Sequence, residues 1–184
     1  MNPRDIDSLI QKAQHGDHEA FAGLIDEYQN YVFRVSFRVL TNEEDANDIV
    51  QECFIRIWRN IKTYNSKIKF TTWIYKIAIN LCIDQLRKKK YHFNMDCSEV
   101  HMINDQLDTQ EEVSNRDLAR IIQCLSQQLS PKQKIVFVLR DLEDLEMGEI
   151  VRITGMKLPV IKSNLYYARQ QIRQQLQTRY KVNF

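Results

Sequence analysis

Residues 43–61, EEDANDIVQECFIRIWRNI, decide the fold. Ala46, Ile49, Val50, Cys53, Phe54, Ile57, Trp58 and Ile61 recur at i, i+3, i+4 and i+7, an almost unbroken helical period that gives the segment one apolar stripe to bury. Glu43, Glu44 and Asp45 fill the first turn, where carboxylates oppose the helix dipole, and Thr41 with Glu44 reads as a capping box. Phe54 and Trp58 continue the stripe and read as core. Asp45, Asp48, Gln51 and Glu52 stay on the polar side, with no Lys or Arg between Glu43 and Glu52.

Working outward, helical segments follow on both sides. Upstream, Asp5–His15 is short and amphipathic, and Asp17 opens a helix running to about Leu40. Downstream, residues 62–70, KTYNSKIKF, read as a loop broken at Asn65 and Ser66. Thr71 or Thr72 then caps a helix to about Lys90. On that helix Trp73, Lys76, Asn80, Asp84 and Arg87 fall within one stripe if each residue advances about 100°. Ile74, Ile77, Ala78 and Leu81 face the core. Only four Gly and three Pro occur in 184 residues, too few for a sheet protein rich in turns. The expected class is all-α, with two small helical domains.

Charge divides the chain. Residues 1–90 carry a net +2, residues 91–117 a net −6, and residues 118–184 a net +6. From 53 to 90 there are ten Lys or Arg against the single acid Asp84, and Trp58, Tyr64, Phe70, Trp73 and Tyr75 lie among them. Cations that seek phosphates beside rings that stack on bases suit single-stranded nucleic acid. Trp73 taken alone reads as a partly buried packing residue rather than a stacking plate. Lys88, Lys89 and Lys90 read as nonspecific phosphate contacts. The acidic stretch 91–117 lacks periodicity and reads as a linker. After Glu149 no acid occurs in 35 residues, which implies a polyanion partner.

Beyond the linker, segments at Asp117–Gln128, Pro131–Leu142 behind a Ser130 cap, Met147–Thr154 and Leu158 to about Tyr180 read as helices. Gly155 can supply a left-handed residue between the last two, with Ile150, Ile153, Met156, Ile161 and Leu165 burying the angle. A helix-turn-helix of this kind lays its second helix in the major groove. Lys157, Pro159, Val160, Lys162, Ser163, Asn164, Tyr167 and Arg169 are then the candidates for base or phosphate contact, Asn164 suiting adenine and Val160 a thymine methyl. An ordinary helical hairpin with a basic surface is the alternative.

Other chemistry finds little support. His15, His18, His92 and His101 have no paired nucleophile, and no Gly-rich phosphate loop occurs. Cys53, Cys82, Cys97 and Cys124 lack the paired spacing of a zinc site; Cys97 and His101 could share a helical face, but no second pair joins them. No enzyme activity, metal or cofactor is expected. No apolar run approaches the roughly 20 residues of a membrane span, and MNPRDIDSLI is too polar for a signal peptide, so a cytoplasmic protein without membrane insertion is expected.

With both halves read, the chain resembles the extracytoplasmic-function (ECF) group of bacterial RNA polymerase sigma factors, of the sigma-70 family, over nearly its whole length. DANDIVQECFIRIWRNI (45–61) is similar to the family's polymerase-binding motif, FTTWIYKIAINLCIDQLRKKK (70–90) to its promoter-melting segment, and residues 129–172 to its fourth domain. The resemblance implies sigma region 2 over 1–90, the acidic linker over 91–117 and sigma region 4 over 118–184. It implies that Asp45, Asp48, Ile49, Gln51, Glu52 and Ile55 dock on the clamp of the largest subunit of core RNA polymerase. It assigns Tyr64, Lys69, Thr72, Trp73, Lys76, Asn80, Asp84, Arg87 and Lys88 to the minus-ten element, where an extruded base is trapped, and the helix-turn-helix to the minus-thirty-five element. It further implies an anti-sigma partner, often membrane-anchored. The linker would thread the RNA channel as an RNA mimic or serve only as a tether. Glu146 and Lys157 stand where the family commonly has a Ser cap, Val151 where it has Ala, and Asn164 and Tyr167 where basic residues are frequent. A stand-alone helix-turn-helix regulator remains the competing function; it leaves residues 45–61 without a role.

Overall fold

The computed structural model describes residues 5–95, 122 and 125–180. Most of the acidic stretch, with Cys97, His101 and Cys124, lies outside the described residues. Seven α-helices carry the described fold: α1 (Ile6–Gln14), α2 (His18–Leu40), α3 (Glu43–Asn60), α4 (Phe70–Met95), α5 (Pro131–Phe137), α6 (Met147–Thr154) and α7 (Leu158–Tyr180). A 3₁₀ turn, Ile61–Thr63, follows α3, and a π-helical turn, Val138–Leu142, continues α5. No strand occurs among the described residues.

Polar caps set the boundaries. Asp17 Oδ1 accepts from the Glu19 and Ala20 N–H groups at 2.9 and 3.0 Å, opening α2. Ser130 and Gln133 exchange backbone and side-chain hydrogen bonds at 3.0 and 3.4 Å, the reciprocal box expected ahead of Pro131. Between α2 and α3 the chain departs from expectation. Thr41 ends α2 in the left-handed region at φ 56°, its N–H donating to Phe37 O, and Asn42 caps α3 by accepting from Asp45 N–H at 2.8 Å. One residue cannot serve both the left-handed turn and the extended cap position, so the cap moves to Asn42. α4 also starts earlier than Thr71 or Thr72: Trp73 N–H already donates to Lys69 O, and both threonines lie inside the first turn. Its far end is Met95, five residues beyond Lys90.

α2 is the axis of the first unit and packs on α1, α3 and α4. Leu24, Val32, Val35 and Val39 from α2 meet Ile57 of α3 and Ile79 and Cys82 of α4 in a fully buried layer. Each such aliphatic side chain contributes about 1.5–3 kcal/mol. In the second unit α5 packs on α7, and Val136, Val138, Leu139, Ile150, Ile153, Ile161 and Ala168 close its core. The two units touch: α6 lies against α4, and Lys134 of α5, itself buried, donates to Val39 O at the end of α2 at 3.2 Å. Burial lowers the pKa of that amine.

Candidate protein and nucleic-acid interfaces

On α3, Asp45, Asp48, Gln51, Glu52 and Ile55 span an arc of about 120° at 100° per residue. Asp48, Gln51 and Ile55 are exposed, and Ile55 keeps 45% of its surface in water although it is a large aliphatic. It shares the arc with the carboxylates of Asp48 and Glu52, and Arg56 and Arg59 flank it on the C-terminal side. Glu52 accepts from Arg56 Nε at 2.7 Å, and Asp45 from Gln85 Nε2 at 2.9 Å, so these two carboxylates are already oriented by neighbours. Ile49 departs from its expected role: only 6% exposed, it lies outside the arc and packs in the core.

At the start of α4 the rings of Tyr64, Phe70 and Trp73 form a cluster with centroid separations of 5.0 to 5.7 Å. Tyr64 donates its hydroxyl to Ile68 O at 2.8 Å, and Gln14 Nε2 reaches Ile61 O and Tyr64 O, each at 3.0 Å. The loop before α4 is thereby tied at both ends. Burial raises the Tyr64 pKa, so its phenol stays a donor. Trp73 is half-buried, the packing role its position suggested, while Lys76, Asn80, Asp84, Arg87 and Lys88 continue its stripe into solvent. Arg87 pairs loosely with Asp84 at 3.6 Å. Thr72 departs from expectation: at 4% exposed it is a core residue. Lys69 lies on the same side of the helix as the stripe, and its amine pairs with Glu149 of α6 at 2.9 Å.

In the second unit Gly155 sits at φ 69°, and its N–H returns to Val151 O at 2.9 Å. The Met156 N–H donates to Thr154 Oγ1, and the Val160 and Ile161 N–H groups to Lys157 O, which starts α7. Ile150, Ile153, Ile161 and Leu165 are buried and Met156 half-buried in the angle between the helices. This is a helix-turn-helix. Lys157, Pro159, Val160, Lys162, Ser163, Tyr167 and Arg169 are exposed. Asn164 folds its amide back onto Val160 O at 2.8 Å and must turn outward to read a base. Arg169 is held by Asp141 through two bonds, at 2.9 and 2.5 Å, which raise its pKa. A phosphate contact would have to share or replace that pair.

Tyr166 is the residue sequence reasoning passed over. It is 63% exposed against 54% for Tyr167, and the two rings meet edge to face at 5.4 Å. Its signal lay in the period, since Ile161, Leu165, Ala168, Ile172 and Leu176 form the buried stripe and Tyr166 falls about 120° from its centre. Cys53 and Cys82 are buried free thiols with pKa values pushed up to about 12 by desolvation. Among the described residues no group of three His, Cys, Asp or Glu could hold a metal ion, and no helix is long and apolar enough to cross a membrane.

Comparison with known proteins follows this division. The family model of Sigma-70 region 2 matches residues 24–91, and that of Sigma-70, region 4 matches residues 119–172. The ECF RNA polymerase sigma factor SigW of Bacillus subtilis (strain 168) is 32% identical over 180 residues, covering 93% of this chain and 96% of the relative. The ECF RNA polymerase sigma-E factor of Haemophilus influenzae is 30% identical over 179 residues, covering 92% and 94%. Among solved structures, CnrH in complex with the cytosolic domain of CnrY superposes with a TM-score of 0.69 at 19% identity, over 95% of this chain and 99% of that one. The sigma factor RpoE in complex with the anti-sigma factor NepR from Bartonella quintana reaches 0.66 at 16% identity, over 86% and 98%. These two share the fold.

Proposed function

Because the chain belongs to the extracytoplasmic-function RNA polymerase sigma factors, we propose that it binds core RNA polymerase through the outer arc of α3 and directs promoter-specific transcription initiation by reading DNA with α4 and α7. Ile55 enters an apolar recess of the polymerase clamp, and Asp48, Gln51 and Glu52 meet basic and polar groups around it. The observation that carries this reading is the exposed Ile55 on one arc of α3 with Asp48, Gln51 and Glu52, a surface for which a stand-alone DNA-binding regulator would have no use.

Melted minus-ten DNA lies along the stripe from Lys69 and Trp73 to Arg87 and Lys88. One flipped base meets the edge of the Tyr64, Phe70 and Trp73 cluster, and the lysines hold phosphates. Flipping costs a few kcal/mol, which stacking at about 1–3 kcal/mol per base together with phosphate contacts offsets, so no hydrolysis is required. The N-terminal part of α7 enters the major groove of the minus-thirty-five element, with Lys157, Pro159, Val160 and Ser163 nearest the bases. Residues 1–90 and 118–184 act as the two working units. An anti-sigma protein, often membrane-anchored in this family, is the regulatory partner.

Transcription by purified bacterial core polymerase on a promoter library, with wild-type chain beside an Asp48→Arg, Glu52→Arg double variant, tests the reading. Promoter-specific transcripts lost in the double variant, with duplex binding by α7 intact, support it. A folded wild-type chain that neither binds core polymerase nor yields transcripts would leave the stand-alone regulator.

A further inference from the structure

The two units are joined by more than a covalent tether. Glu143, at the end of the π-helical turn, is only 1% exposed in its side chain, and its donors come from the first unit. Arg34 Nη2 and Nε reach its carboxylate at 2.8 and 3.2 Å, Arg38 Nη1 at 2.5 Å, and the Tyr75 hydroxyl at 3.1 Å. Arg38 Nη1 also donates to Leu142 O. The π-helical turn is what brings Glu143 to this point: its N–H closes on Val138 O, five residues back, and the extra residue re-aims the chain end toward α2 and α4. Beside this clasp, Lys69 pairs with Glu149 and Lys134 donates to Val39 O. A buried carboxylate with three donors from another unit is a specific lock rather than an incidental surface contact.

From these contacts we infer that the docked arrangement is an autoinhibited state, held shut by the Glu143 clasp, that must open before the chain can occupy a promoter. The inference rests on the sigma-factor reading for its consequence and on the clasp for its mechanism. Chain geometry supplies the argument. Lys69 and Glu149 touch, five helical residues carry the chain from Glu149 to Thr154, and four steps lead on to Leu158. At about 1.5 Å per helical residue and at most about 3.6 Å per extended one, the start of α4 lies within roughly 35 Å of the start of α7. The minus-ten and minus-thirty-five elements are separated by about 25 base pairs, or about 85 Å of duplex at roughly 3.4 Å per step. The docked form cannot span them. It also engages the Lys69 amine with a carboxylate where DNA would offer a phosphate.

Removal of the clasp charge should therefore open the chain. Arg34 and Arg38 remain partly hydrated, with side chains 43% and 28% exposed, so the effect is smaller than for a fully buried pair. A shift of roughly ten-fold in the ratio of open to docked molecules is expected for Glu143→Gln, and the apparent affinity for core polymerase and promoter rises by the same factor while the docked form predominates.

Two measurements test this on the full chain. In the wild-type protein, zero-length carbodiimide coupling should yield a Lys69–Glu149 amide by mass spectrometry: the Glu149 carboxylate adds to the carbodiimide, the Lys69 amine displaces the resulting urea, and the joined pair is lighter by one water. The yield should fall several-fold in Glu143→Gln and on addition of core polymerase with promoter DNA. Small-angle scattering should show a larger radius of gyration for Glu143→Gln, with helix content unchanged by circular dichroism. An Arg34→Glu, Arg38→Ala, Glu143→Arg variant, which rebuilds the pair with reversed charge, should recover part of the amide. Absence of the amide in the wild-type chain, or identical scattering in both proteins, would overturn the clasp. Opening without any gain in affinity for polymerase and promoter would overturn the autoinhibition while leaving the docking intact. Failure of the sigma-factor reading would appear separately, as absence of wild-type transcripts.

Discussion

Replacing Ile55 tests the α3 face with least disturbance to the fold. Full burial of an isoleucine is worth about 1.5–3 kcal/mol, and with 45% of the residue still exposed, roughly half of that is left to be gained on docking. Ile55→Ala should forfeit most of this remainder, weakening core-polymerase binding by about three- to ten-fold. Ile55→Asp should do more. It adds a carboxylate to an arc that already carries Asp48 and Glu52, and enclosing an unpaired polar group costs about another 1–3 kcal/mol, for a total loss on the order of a hundred-fold. Because the side chain faces water, urea denaturation should change by no more than about 0.5 kcal/mol in either variant. Equilibrium titration of labelled chain with core polymerase provides the assay. An Ile55→Asp chain of wild-type stability that binds core polymerase within about two-fold of wild type would refute the assignment of this face.

The two glycines of the helix-turn-helix should respond with opposite sign. A methyl group meets nothing within 4 Å at either, so backbone preference alone decides. Gly155→Ala, at φ 69°, should destabilise by about 1–2 kcal/mol, and Gly148→Ala, inside α6, should stabilise by about 0.4–1 kcal/mol, both read by urea denaturation. The Glu149 carboxyl is held below its ordinary 4.5, chiefly by the hydrogen bond from Lys69. Its contribution to docking is full above that value and is lost as pH falls through the depressed one, so the radius of gyration should rise on acidification, less so in Lys69→Ala. Cys53 and Cys82, with pKa values near 12, should resist iodoacetamide at pH 8 and react only as the first unit unfolds, which peptide mass spectrometry in graded urea would follow.

Helix period made the architecture legible. The apolar stripe of α3, the Asp17 and Ser130 caps and the Gly155 turn are local patterns, each contained in one short stretch of chain, and each is realised in the described residues. Local reasoning failed where one residue had two local options. Thr41 could cap α3 or end α2, and the left-handed turn claimed it. At Ile49 and Thr72 it was the resemblance that pointed to an interface; the helical period had already put Ile49 in the buried stripe, and both residues lie in the core. Glu143 was beyond reach altogether. It sits in an acidic run, RDLEDLEMGE, that reads as solvated, and its donors lie 68 to 109 residues away in the chain.

That acidic run gives the charge pattern of the second half its meaning. All five acids of residues 118–184 fall between Asp141 and Glu149, and four of them carry ion pairs: Asp141 with Arg169, Asp144 with Arg140, Glu143 with Arg34 and Arg38, and Glu149 with Lys69. The first two pairs stay inside the unit; the last two cross to the other. Separation of the units therefore returns two arginines and a lysine to the first unit and leaves two uncompensated carboxylates on the second, near α6 rather than on the outward face of α7. The released Lys69 lies at the head of the α4 stripe, where a phosphate can take the place of Glu149. DNA bound there opposes docking, and by linkage docking opposes DNA to the same extent. Added salt weakens both contacts, but DNA gathers several exposed phosphates, whereas the Glu143 carboxylate of the docked form is buried and little screened, so the DNA-bound open form should lose ground faster as ionic strength rises.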